Sequence, residues 1–144
     1  MALYFAYGSN MDSAQMRSRV PDARPLGRVR LAGYRFRCNK IGRDGSAKAN
    51  VEVAVGHEVW GVLFELSDEG LVALDRYEGG YRRAEATVWR DEAPVAGVHV
   101  YVSTRTSAEL WPTRAYRERM IRGALEHELP EACLGTLRAL RVVD

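Results

Sequence analysis

The hydrophobic and polar positions of this chain fall into short blocks of two periods. Leu3-Tyr4-Phe5-Ala6 is a continuous apolar run that predicts a short buried strand. Tyr7-Gly8-Ser9-Asn10 follows it, and Met11 to Arg19 can then form a short helix. From Gly27 to Cys38, Val29, Leu31, Tyr34, Phe36 and Cys38 alternate with polar residues, which predicts strands broken near Gly33. Lys40 to Lys48 is a polar, glycine-containing loop. Ala49–Val55 and Val59–Leu66 are both apolar and β-branched, and Gly56-His57 between them predicts a tight hairpin.

The period changes at Ser67. Ser67 precedes Asp68 and Glu69, the signature of a helix start, and an amphipathic stretch runs from there to Tyr77. Gly79-Gly80 ends it. Tyr81–Asp91 and Val95–Ser103 predict a second pair of strands. Pro112 marks a break before a helix over Arg114–Glu128, with Ala115, Met120, Ala124 and Leu125 expected to face inward. Pro130 opens a last helix ending near Leu140. The pattern is mixed α/β, with β runs long enough to curl into a barrel, although periodicity alone does not establish closure.

Composition narrows the class. A chain of 144 residues with 47% hydrophobic and 28% charged residues is expected to form one domain over residues 1–144 with a real core. No apolar run approaches the roughly 20 residues that span a bilayer. Leu3–Ala6 is too short for a secretory leader, so the cytoplasm is the expected compartment and no membrane partner is expected. Cys38 and Cys133 lie far apart, outside any metal-ligand spacing, and read as two reduced thiols. His57, His99 and His127 share no metal spacing either. No metal site and no cofactor are expected. The net charge of +2 gives no sign of a nucleic-acid partner, and the alternating Arg28, Arg30, Arg35 and Arg37 read as a solvated face.

Two segments carry candidate chemistry. The first is the strand–loop–helix start at Tyr7-Gly8-Ser9-Asn10. A glycine there lets a ligand approach the main chain, and free N–H groups can meet a carboxylate or a polarised carbonyl. No glycine follows two positions after Ser9, so this is not a hydrolase nucleophile elbow, and the loop lacks dinucleotide and P-loop spacing. The second is Leu74-Asp75-Arg76-Tyr77-Glu78-Gly79-Gly80-Tyr81. Glu78 leaves the helix at its C-terminal end, where the macrodipole disfavours a carboxylate and tends to raise its pKa. A Glu so placed is a better base; an ordinary solvated surface Glu at a helix end is the alternative.

Together these segments resemble the γ-glutamylcyclotransferase (AIG2-like) family. The resemblance covers almost the whole chain and continues through Arg30-Leu31, Tyr34-Arg35-Phe36, Glu58-Val59-Trp60-Gly61-Val62-Leu63-Phe64, Tyr116-Arg117-Glu118-Arg119-Met120-Ile121 and Gly123-Ala124…Leu129-Pro130. It implies a small mixed-strand barrel flanked by helices. It also implies release of 5-oxoproline from γ-glutamyl amino acids, by attack of the substrate's own α-amino group on its γ-carbonyl. Glu78 matches the catalytic glutamate and Tyr116 the substrate-contacting tyrosine. With that chemistry the N–H groups of Gly8, Ser9 and Asn10 are expected to hold the α-carboxylate or the oxyanion, and Tyr7 to line the pocket. An ordinary packing role is the alternative for Tyr7 and Tyr116, and Tyr81, just past Glu78, is a further candidate. Tyr7-Gly8-Ser9-Asn10 is most similar to members acting on γ-glutamyl amino acids. The same chemistry on γ-glutamyl amines or peptides, and a binding module without chemistry on the same fold, stay open as alternatives, as does a homodimer.

Overall fold

The computed structural model describes all 144 residues. Five strands close into a barrel in the order β1-β3-β2-β4-β5. They are β1 (Ala2–Ala6), β2 (Arg24–Ile41), β3 (Ala47–Leu66), β4 (Arg82–Arg90) and β5 (Ala93–Val102). Four helices surround it: α1 (Ser13–Arg19), α2 (Asp68–Tyr77), α3 (Arg114–Glu126) and α4 (Glu131–Arg138). The mixed barrel with flanking helices is the architecture expected from the resemblance.

β1 lies between an antiparallel neighbour, β3, paired from Ala2↔Leu66 to Ala6↔Val62, and a parallel one, β5, paired at Leu3↔Val98 and Tyr4↔His99. The opposite seam, β2 to β4, is paired at Arg30↔Trp89. Inside, Phe5, Phe64, Met11, Met16, Leu31 and Leu66 are fully buried and join the barrel interior to α1 and α3.

Several expected boundaries differ. The hairpin expected across Gly56-His57 does not form, because Ala49–Val55 and Val59–Leu66 belong to one strand. Both halves pair antiparallel with β2, so the chain keeps its direction; pairing jumps from Ala32↔Glu58 to Tyr34↔Val53. Gly56 (φ +85°) and Gly33 (φ +83°) take the left-handed backbone that this wide bulge needs, a conformation open to glycine at little cost. The break expected near Gly33 is the other side of the same bulge. The polar loop shrinks to residues 42–46, because Lys40 and Ile41 pair with Lys48 and Ala47.

The helix expected from Met11 starts later. Ser9–Met11 forms a 3-10 turn, and α1 begins at Ser13, capped by the Asp12 carboxylate on the Ala14 N–H (3.1 Å). α3 ends at Glu126. Met120 and Ala124 face the core as expected, whereas Leu125 is exposed and Ala115 lies at the surface of a cleft. No helix is long and apolar enough to cross a membrane.

Candidate active site

Three local devices converge at one mouth of the barrel and line a cleft of about 620 Å³. The first is the turn after β1. Its bonds run from the N–H groups of Met11 and Asp12 to the carbonyls of Gly8 and Ser9, so the N–H groups of Ser9 and Asn10 have no acceptor within the turn. Gly8 permits a close approach: a Cβ there would lie 2.9 Å from the Ala49 Cβ and 3.2 Å from the Tyr116 hydroxyl. α3 locks the turn from outside. Its Arg122 and Arg119 reach the buried Asp12 carboxylate at 3.2 and 3.8 Å, and Glu126 accepts from the Ser13 N–H.

The second device is the exit of α2. Glu78 caps the helix, its N–H donating to the carbonyls of Leu74 and Asp75, and its own carbonyl accepts from the Tyr81 N–H. The Gly79-Gly80 link is pinned from both sides: Lys40 Nζ donates to the Gly79 carbonyl (2.8 Å) and the Ser103 hydroxyl to the Gly80 carbonyl (2.8 Å). The backbone of Glu78 is therefore fixed, and its carboxyl turns into the cleft.

There it meets Asn10. The Asn10 amide nitrogen donates one proton to Glu78 Oε1 (3.0 Å) and the other to the Tyr4 hydroxyl (3.1 Å). Its oxygen accepts from Gln15 Nε2 and Arg19, both at 3.1 Å. All four hydrogen-bonding positions of this buried amide are thus used. Burial pushes the Glu78 carboxyl up to about 7, against the opposing pull of Arg19, Lys40 and the Asn10 bond. A raised pKa is the direction read from the helix end; removal from water is its main cause.

The third device is a wall of phenols. The Tyr81 hydroxyl donates to the Ala49 carbonyl (2.6 Å), while the Ala49 N–H donates to the Tyr116 hydroxyl (2.9 Å). One residue of β3 thereby positions two rings through its main chain. Tyr7 donates to the Tyr101 carbonyl, and the Tyr101 hydroxyl donates to Asp75 (2.6 Å). Burial raises the pKa of Tyr4, Tyr7, Tyr81, Tyr101 and Tyr116, so all five stay protonated at neutral pH. No protein acceptor takes the protons of Tyr4 and Tyr116, which leaves both able to donate into the cleft.

Every residue singled out in the sequence lines this cleft: Glu78, Tyr7, Gly8, Ser9, Asn10, Tyr81 and Tyr116. The side chain of Asn10 is spent on Glu78 and its neighbours, so only its main chain is left to face a ligand. Tyr4, Arg19, Lys40 and Tyr101 also line it and were not foreseen. A tyrosine inside an apolar strand reads as core, and Lys40 sits where a polar loop was expected. The histidines lie elsewhere: His127 bonds the Ser13 hydroxyl (2.9 Å), and His99 faces Arg83 (3.3 Å). Cys38 and Cys133 are both free, and burial pushes their thiols up to about 12 and about 11.

Chemically, the cleft offers one carboxyl poised to exchange a proton near neutral pH, neutral hydroxyl donors, and unsatisfied main-chain N–H groups. Comparison with known proteins shows which family shares this sequence and fold. The family model for γ-glutamyl cyclotransferase, AIG2-like, matches residues 4–118. The chain is 30% identical over 137 residues to a γ-glutamylcyclotransferase of Bos taurus, covering 89% of this chain and 72% of that one. It is 28% identical over 151 residues to its namesake in Homo sapiens, covering 99% and 80%. A solved γ-glutamyl cyclotransferase superimposes with a TM-score of 0.92 at 26% identity, over 99% of this chain and 89% of the other. By sequence match and by fold, the chain belongs to the AIG2-like γ-glutamyl cyclotransferase family.

Proposed function

We propose that the protein is a γ-glutamylcyclotransferase that releases 5-oxoproline from γ-glutamyl amino acids, with Glu78 as the proton carrier. The carrying observation is the Glu78 carboxyl: inside the cleft, raised to about 7, and held by Asn10 at 3.0 Å. A base with a pKa near the working pH is the effective one.

The reaction balances without water or a protein nucleophile. Ionised Glu78 takes a proton from the substrate's α-ammonium. The freed nitrogen attacks the γ-carbonyl carbon, forming the ring C–N bond and placing the electron pair on the carbonyl oxygen. Collapse of that oxyanion breaks the bond to the second amine, and Glu78 returns its proton to the departing nitrogen. The carboxylate so restored takes the second proton from the ring nitrogen, leaving the neutral lactam, and passes it to the released amine, which departs as its ammonium. The main-chain N–H groups at Gly8–Asn10 are assigned to the α-carboxylate or the oxyanion, and a donor to the oxyanion is worth about 3–4 kcal/mol. Tyr4 and Tyr116 add neutral donors, and Tyr7 and Tyr81 shape the wall against which the glutamyl chain folds. Bringing nitrogen and carbonyl together contributes up to about 7–11 kcal/mol.

The test is 5-oxoproline release from γ-glutamyl-alanine, γ-glutamyl-ε-lysine and glutathione by wild type and Glu78→Gln. Release from the first, slowed by about 10²–10⁴-fold in the variant, is the expected result. Release from the second or third alone moves the protein to γ-glutamyl amines or peptides. Binding without release from any of them makes it a non-catalytic module. Because the chemistry calls for no metal, EDTA is expected to leave the rate unchanged; loss of activity on chelation would contradict the mechanism.

A further inference from the structure

We propose that the amine half of the substrate is acidic, an amino acid carrying a side-chain carboxylate in addition to its α-carboxylate. This rests on the cyclotransferase reading for the identity of the glutamyl half, and on the charge of the cleft for the rest. Six cationic side chains line the cleft, Arg19, Lys40, Arg43, Lys48, Arg76 and Arg119, against a single carboxylate, Glu78. The whole chain carries a net charge of only +2, so this excess is local.

The protein accounts for some of these charges. Lys48 pairs with Asp44 (3.5 Å) and Arg119 with Asp12 (3.8 Å). Arg19 bonds Asn10 and lies over the Tyr77 ring, 5.1 Å from its centroid; Lys40 bonds the Gly79 carbonyl and lies 4.7 Å from the Tyr81 centroid. Neither of these two forms an ion pair. Arg43 and Arg76 have neither an ion pair nor a protein acceptor, and both are exposed at the rim.

Their placement assigns them to the leaving amine. The α-amino end of the substrate must reach Glu78 in the interior, beside Arg19 and Lys40. The amine half then extends outward past Glu78 and Gly79. Arg76 stands two residues before Glu78 in the last turn of α2. Arg43 approaches from the loop between β2 and β3, its guanidinium 3.4 Å from where a Gly79 Cβ would lie. The two arginines therefore flank the exit. A γ-glutamyl dipeptide with a neutral second residue brings two carboxylates, and the inner cations suffice for those. A third carboxylate is what meets Arg43 and Arg76, in a cleft whose walls concentrate the field.

The experiment compares γ-glutamyl-glutamate with γ-glutamyl-glutamine, isosteres that differ by one charge. Wild type is expected to favour the acidic dipeptide by about tenfold or more in kcat/KM at low ionic strength, and raising the salt to about 1 M should erase most of the ratio. Arg43→Gln/Arg76→Gln should bring the ratio toward one, while Arg43→Lys/Arg76→Lys retains it in part. Calorimetry on Glu78→Gln with the same two dipeptides reads the preference without turnover. Equal kcat/KM or equal affinity for the pair, or no binding of the acidic dipeptide, overturns the proposal. A binding preference without turnover by wild type upholds it and removes the cyclotransferase reading instead.

Discussion

Glu78 gives the protein a pH dependence with a definite sign. Its carboxyl titrates near 4.5 in the unfolded chain and near 7 in the folded one. The folded state thus holds a proton that the unfolded chain releases. The associated stability is complete below about 4.5 and is lost as pH rises through about 7. Glu78→Gln, which cannot ionise, should be more stable than wild type by about 1–3 kcal/mol near pH 8, with the difference shrinking toward about pH 5, read as melting temperatures. Activity should follow the opposite course, with kcat/KM rising through about pH 7 as the base ionises. Asn10→Ala removes a bond that favours the ionised form, so the midpoint of that rise should move up. It should also cost about 1–3 kcal/mol of stability, because Tyr4, Gln15 and Arg19 lose a buried partner.

Elements meet here through glycines whose surroundings differ sharply, which makes them separable by mutation. On α3, a Cβ at Gly123 would fall 2.4 Å from the Met11 carbonyl carbon and 2.5 Å from the Asp12 nitrogen. Main chain cannot step aside, so α3 seats against the site turn only because that position is bare. Gly123→Ala should lower stability by about 1–3 kcal/mol and depress activity with it, measured by denaturant melts and turnover on one preparation. On α4, Gly135 has nothing within 4 Å, and Gly135→Ala should instead stabilise by about 0.5–1 kcal/mol. Legibility divides along the same line. The α2 start at Ser67, its stop at Gly79-Gly80 and the burial of Met120 and Ala124 follow from local pattern. The continuity of β3 does not, because Gly56-His57 has turn chemistry and only pairing of both flanks with β2 overrides it. Lys40 and Tyr4 escaped notice for a related reason: what makes them part of the site is Gly79 and Asn10, distant neighbours that only tertiary structure supplies.

Across the whole molecule, the barrel is uneven. β1, β2 and β3 share long antiparallel ladders, whereas the β4–β5 hairpin joins them through two register pairs on one side and one on the other. Main-chain amides of β1 and β3 should therefore be the slowest to exchange with deuterium. Those of β4 and the start of β5 should exchange faster, as a separate cooperative unit. Uniform protection around the barrel would contradict that division. Glu78 is joined to β4 through Gly79, Gly80 and Tyr81, so opening of the hairpin would be felt at the site, and the Lys40 and Ser103 bonds to Gly79 and Gly80 are what resist it.

The main chain of Ala49 holds two walls of the cleft at once, its carbonyl gripping Tyr81 and its N–H gripping Tyr116. Since that anchor is main chain, it is indifferent to which side chain the codon at position 49 specifies, short of proline, which would delete the N–H. The packing of Gly8 against the Ala49 Cβ limits the size of the residue, not its chemistry. Over evolutionary time, a descendant lineage could exchange Ala49 for Ser or Cys, retaining both phenols in register while gaining a new functional group in the wall of the cleft.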